Sequence, residues 1–238
     1  MLTHLSIVLL GAFNPAIFHP EWLERFGIIP AQDAEWAEGE RAIVEEVKFG
    51  EHRLIKKGGG SLLVSPEFAI IDFPGIRLTI DRERFQCLTD QRKRFKDVKM
   101  ITQKSFECLS HTPIKAGGIN IDSHILLNES SEEKLKQLFS GNEPLITKIF
   151  GEKYQIGGKL VYWDQQVKRI IEIEPSDLMP LGIHIHANFH IDFVTKEASE
   201  AVGWISAYFE KSIDDLSQLI NQLFGSIKEI WQPSIQPK

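Results

Sequence analysis

Cysteine is scarce in this 238-residue chain: Cys87 and Cys108 are the only two, they fall in segments that read as strand and helix, and they lack CxxC spacing. That excludes a disulfide scaffold, and both thiols are expected as small buried hydrophobes in a reducing compartment. Positive charge is not in excess either. Twenty-seven basic against 33 acidic residues give a net charge of −6, which argues against a surface built for phosphate backbones or anionic lipid, so neither a nucleic acid nor a membrane is expected as partner. No apolar stretch approaches the roughly 20 residues of a membrane-spanning helix. The run Leu5 to Ala12 has no Lys or Arg before it and Asn14-Pro15 after it, so it lacks the charged start of a secretory signal and reads as a buried strand. The chain is therefore expected to be a soluble, cytoplasmic protein.

Complete catalytic signatures are missing too. Gly58-Gly59-Gly60-Ser61 follows its lysines instead of preceding GK[ST], so it reads as a hairpin turn and not a phosphate cradle. Gly11-Ala12-Phe13-Asn14-Pro15 after a hydrophobic strand resembles the opening GxFDPxHxGH of phosphate-handling nucleotidyltransferases. The two histidine places of that motif hold Ile17 and Pro20 here, and a plain strand-to-helix turn is the reading that remains. His111 or His124 could act as a base oriented by Asp122, but Ser105, Cys108 and Ser110 lie on or at the end of a helix, where a nucleophile is rarely presented. Arg82, Arg84, Arg92, Lys93, Arg94, Lys96 and Lys99 concentrate positive charge, diluted by Asp81, Glu83, Asp90 and Asp97, as on a solvated face.

What is present is globular: 42% hydrophobic and 25% charged residues, enough for a packed core. Strands are expected at 5–13, 62–64, 68–73, 76–80 and 114–127, with 82–87 extending the fourth or leading into a helix. Further strands are expected at 155–164, 166–174 and 182–193. Short helices are expected at 19–27, with Trp22, Leu23 and Phe26 inward, and at 131–139; 91–110 reads as an amphipathic helix and 31–46 as a solvated acidic connection. Val202, Ile205, Phe209, Ile213, Leu216, Ile220, Leu223 and Ile227 recur at steps of three or four, the mark of a long amphipathic helix. Strands followed by a helix, twice over, indicate an α+β fold: a largely antiparallel sheet in two similar halves, 1–127 and 128–238, within a single compact unit, with the long C-terminal helix packed on the sheet.

Two features carry candidate sites. In the segment His184-Ile185-His186-Ala187-Asn188-Phe189-His190, a period of two places His184, His186 and His190 on one strand face. Neutral imidazoles at that spacing are competent zinc or iron ligands, with a carboxylate such as Glu172 or Glu174 to be supplied by a neighbouring strand. The competing reading is an ordinary polar strand face, or a pH-sensitive cluster. The second candidate is the seam Val202, Ile205, Phe209, Ile213 and Leu216, whose near-heptad period suits either the chain's own sheet or a symmetry mate in a homodimer.

Gly11-Ala12-Phe13-Asn14-Pro15-Ala16-Ile17-Phe18 with Trp22-Leu23, and Leu109-Ser110-His111-Thr112-Pro113-Ile114 followed by Ala116, Gly118-Ile119-Asn120 and Asp122, resemble a sparsely distributed family of uncharacterised bacterial proteins of similar length. The resemblance implies one full-length unit, brings no established activity and transfers no catalytic residue. The combined expectation is a non-catalytic interaction or accessory protein of a bacterial cytoplasm that binds a protein partner and needs no cofactor. The alternatives are a metal protein centred on His184, His186 and His190, and an apolar-ligand binder with a cavity between helix and sheet.

Overall fold

Leucine and β-branched residues, with Thr3, His4 and Ser6 among the first five positions, make Leu2–Gly11 the first strand, β1. Leu5, Ile7 and Leu9 are fully buried on one of its faces. A computed structural model of the chain describes residues 2–29, 33, 45–49, 52–57, 60–141, 145, 148–149, 157–179 and 182–225. After β1, Pro20–Arg25 forms α1, with proline in its first turn and Gly27 at φ +60° beyond its end. Leu23 is buried as expected; Phe26 is half exposed, because it sits at the helix cap and not on the inward stripe.

Six strands follow: β2 (Glu45–Phe49), β3 (His52–Lys57), β4 (Gly60–Val64), β5 (Phe68–Phe73), β6 (Ile76–Asp81) and β7 (Arg84–Thr89). Each pairs antiparallel with the next. The Gly58-Gly59 turn and most of the acidic stretch 31–46 lie outside the described residues, but Glu45 and Glu46 open β2. Asp33, expected in that solvated connection, is buried. Residues 84–89 do not extend β6. The Asp81 carboxylate accepts the N–H groups of Glu83 and Arg84, each at 2.7 Å, and closes a tight turn that sends the chain back as β7. Gly75, at φ +76°, makes the β5–β6 turn, a conformation that a β-carbon would strain.

Then come α2 (Phe95–Cys108), β8 (Ile114–Leu126), α3 (Glu129–Phe139), β9 (Gly158–Asp164), β10 (Val167–Pro175), β11 (Gly182–Asp192) and α4 (Ala198–Phe224). The fold is α+β, and its hydrogen-bonded strand order is β2-β3-β4-β5-β6-β7-β1-β8-β11-β10-β9. The expected halves, 1–127 and 128–238, place β8 with the first run. In the sheet β1 lies beside β7, and β8 lies beside β11.

Two compact units interleave along the chain: a larger one from His4–Asn120 and His190–Glu210, and a smaller one from Met1–Thr3, Ile121–Phe189 and Lys211–Lys238. In the larger unit Phe13, Phe85 and Phe106 form an aromatic core in which the last two rings meet edge to face at 4.9 Å. Arg94 is only 6% exposed and its guanidinium is paired with Asp33, while Asp97 lies 3.0 Å from Nε. This corrects its assignment to a solvated basic face: a planar, always-charged donor fork can be buried when a carboxylate pairs with it. Cys87 is buried and its thiol is pushed well up by desolvation, whereas Cys108, at the end of α2, is exposed; both are free.

α4 packs on the sheet. In the larger unit its buried face includes Ala201, Trp204, Ile205 and Phe209, and Trp204 packs edge to face on Phe193. In the smaller unit Leu216, Ile220 and Phe224 are buried. There Lys211 and Asp215 reach the paired residues Asp164 and Arg169 at the rim of the sheet. Residues 226–238, including Ile227, lie outside the described residues.

Candidate functional site

Alternation gives the smaller unit two distinct sheet faces. Along β8, Ile121, Ser123 and Ile125 are buried, while Asp122 and His124 point the other way and are half exposed. Along β11, Ile183, Ile185, Ala187 and Phe189 are buried, and His184, His186 and Asn188 share the half-exposed face. β10 adds Lys168, Ile170, Glu172 and Glu174 to that face, and β9, paired to it, adds Lys159, Val161 and Trp163.

At the β8–β11 end the face is a closed set of charges. The Nε2 of His184 lies 2.8 Å from Asp122 Oδ1 and its Nδ1 lies 3.0 Å from Glu174 Oε1. His186 places Nδ1 on the same Asp122 oxygen, also at 2.8 Å. The hydrogen bond to Asp122 is the main reason that the His184 pKa is raised to about 9. Glu174 assists and partial burial opposes. Near neutral pH His184 is thus an imidazolium that donates one N–H to each of two carboxylates. The His124 ring stacks on it at 4.6 Å and 15°. Burial, and next the neighbouring His184 cation, hold the His124 pKa below its ordinary value, so the stack pairs a charged ring with a neutral one. The neutral ring places Nδ1 2.8 Å from the Ser176 hydroxyl, which also accepts the N–H groups of Leu178 and Met179 and so caps the turn after β10.

This geometry limits the chemistry. Ser176 is held as a turn cap that accepts two N–H groups. A metal binding at His184 would have to displace a proton held up to about pH 9. Among the described residues no group of three or more His, Cys, Asp or Glu is placed to hold a metal ion. His190, the third of the expected ligands, lies in the larger unit, with Nε2 3.3 Å from Asp192. Glu174, one of the two carboxylates named as possible metal ligands, lies against His184 as an ion-pair partner. Asp122, considered from the sequence as an orienting partner for His111 or His124, hydrogen-bonds His184 and His186, and His111 is an exposed residue of the larger unit.

The opposite end of the face is apolar. β9 stands last in the strand order, with Val161, Tyr162 and Trp163 exposed at 41%, 39% and 65%. Trp163 is opposite Lys168, whose ammonium is 5.8 Å from its ring centre. Lys159 is opposite Glu172 and bonds it at 2.5 Å, which holds the Glu172 carboxyl below its usual range. On the other face Arg169 pairs with Asp164 and Asp215 and lies 5.6 Å from the Tyr162 ring. A β-carbon at Gly158 would overlap the Phe139 ring, so glycine there lets α3 close over the start of β9.

Of the ten large hydrophobic residues exposed among the described residues, eight belong to the smaller unit: Leu126, Leu138, Leu145, Ile149, Val161, Tyr162, Trp163 and Leu178. The helical seam that was the sequence-based interaction candidate is elsewhere. Ile205, Phe209 and Leu216 are buried within the chain, and Val202 and Ile213 are half buried. A helix period specifies an apolar face without saying what covers it, and here the chain's own sheet does. No protein-family model matches this chain, and no curated protein matches it.

Proposed function

We propose that this chain is a non-catalytic interaction protein of the bacterial cytoplasm, and that it contacts a protein partner through the β9 end of its smaller unit. One observation carries the reading: Trp163, 65% exposed on the last strand of the sheet, shares one face with exposed Val161, while Tyr162 is exposed on the other. Exposed aromatic side chains of this kind anchor protein interfaces, because a large amphipathic ring is desolvated at low entropic cost. Strand edges add a second source of affinity through unpaired backbone groups. The histidine cluster supports the reading in a different way. Its imidazoles and carboxylates pair with one another on the sheet face beside the patch.

The test is co-purification of the full chain from its native cells, comparing wild type with Trp163→Ala and, as control, Phe26→Ser, which alters an exposed phenylalanine of the larger unit. A protein recovered in near-stoichiometric amount by wild type and by Phe26→Ser, and lost with Trp163→Ala, is the expected outcome. Equal recovery by Trp163→Ala contradicts the proposal.

A further inference from the structure

Resting on that docking reading, we propose that the partner at β9 is a second copy of this chain, its β9 running antiparallel to the first about a two-fold axis at Val161. The basis is the pattern of the strand itself. Gly-Lys-Leu-Val-Tyr-Trp-Asp, residues 158–164, is self-complementary when reversed about its centre. In that register Val161 faces Val161, Lys159 faces Trp163, Leu160 faces Tyr162, and Gly158 faces Asp164. No two like charges are opposed, which edge pairing otherwise penalises.

The neighbouring strand extends the match. In the chain, Lys168, Ile170 and Glu172 of β10 stand opposite Trp163, Val161 and Lys159. Across a paired edge the central row would therefore run Ile170, Val161, then Val161 and Ile170 of the second copy, aliphatic throughout. The flanking rows would run Lys168, Trp163, then Lys159 and Glu172 of the second copy. Each Trp163 ring would lie between two ammonium groups, and the outer ammonium would already be neutralised by the carboxylate to which Lys159 is bonded at 2.5 Å. On the opposite face Tyr162, packed against Arg169, would meet Leu160 of the second copy. A two-fold axis satisfies both partners with one surface, as an isologous dimer requires. A strand of unrelated sequence at the same edge would have no reason to match rows in both directions.

Mass-resolved sizing at tens of micromolar and disulfide trapping test this together. Wild type is expected as a dimer. Val161→Asp brings two carboxylates together on the axis and is expected to weaken association by about 100-fold or more, with its melting transition showing that the protomer stays folded. Val161→Cys in a Cys108→Ser background should cross-link on mild oxidation, because opposed residues in antiparallel strands have Cα atoms about 4.5 to 5.5 Å apart, within disulfide reach. Lys159→Cys in the same background should not, since the two copies of residue 159 would be about 14 Å apart at about 3.4 Å per residue. A monomeric wild type, a dimer indifferent to Val161→Asp, or a dimer in which Val161→Cys fails to cross-link overturns the proposal. If wild type is monomeric and Trp163→Ala still loses a co-purified protein, the docking reading stands and only the second copy is excluded; if neither effect appears, both fall.

Discussion

The larger and smaller units treat apolar surface in opposite ways, although each buries a paired arginine, Arg94 in the larger and Arg169 in the smaller. The larger unit buries Arg94 with Asp33 beneath its sheet and helices, seals Phe13, Phe85 and Phe106 together, and leaves only Phe26 and Val194 exposed among its large described hydrophobics. The smaller unit keeps an imidazolium and its carboxylates half exposed on a sheet face and shows eight large hydrophobic residues to solvent. Burial of a paired charge costs desolvation that only good geometry recovers, so it is spent where a structure must be fixed. Exposed aromatic surface contributes nothing to the isolated fold and a great deal to an interface. On the proposed reading, the exposed apolar surface of the smaller unit is where contact would be made.

The largest effect should come from the larger unit. Phe209→Ala is expected to cost about 3–5 kcal/mol of unfolding free energy, the usual cost of emptying a buried aromatic site, while leaving association intact. Denaturant titration with sizing checks both, and a stable but dissociated variant would return the helical seam to the role of interface. Asp33→Ala should cost about 3 kcal/mol by leaving the Arg94 guanidinium short of its partner, at the low end for a broken buried pair because Asp97 remains beside Nε. Denaturant unfolding measures it, and a neutral result would show that the pair does not anchor this unit.

The smaller unit should answer to pH instead. The folded pKa of His184 is raised from 6.5 to about 9. Its stabilisation is therefore complete below pH 6.5 and is lost as pH rises through about 9. On the order of 2 kcal/mol is expected to disappear between pH 6 and pH 10, discounted from the full shift because the ring is 22% exposed. Unfolding free energies of wild type and His184→Gln, compared across that range, should converge at high pH. A constant difference would mean that the proton is not held by Asp122 and Glu174.

Much of this plan is written in local pattern. The steps of three and four from Val202 onward specify α4, and the alternation of His184, His186 and Asn188 places them on one face. Glu172 and Glu174 were named only as possible metal ligands; in the fold Glu174 pairs with His184 and Glu172 with Lys159. Asp122 and His124 were visible only as polar residues of their own strand. Their meeting with His184 depends on β8 and β11 being neighbours, a pairing across about sixty residues that no local period encodes. The exposure of β9 was hidden for a related reason. Residues 155–164 were legible as a strand, but not its place at the end of the strand order, which leaves it without a neighbouring strand on one side among the described residues. Arg94 and Asp33 misled in the reverse direction, since each lies in a charged run that composition assigns to solvent.

Trp163→Ala, followed by thermal unfolding and mass-resolved sizing of the same sample, tests the division of roles most directly. The account predicts a change in stability within about 0.5 kcal/mol, or roughly 2 °C in melting temperature, together with loss of the bound partner. A variant that melts far lower yet keeps its partner would place Trp163 in the fold and not in the interface, and would contradict the account.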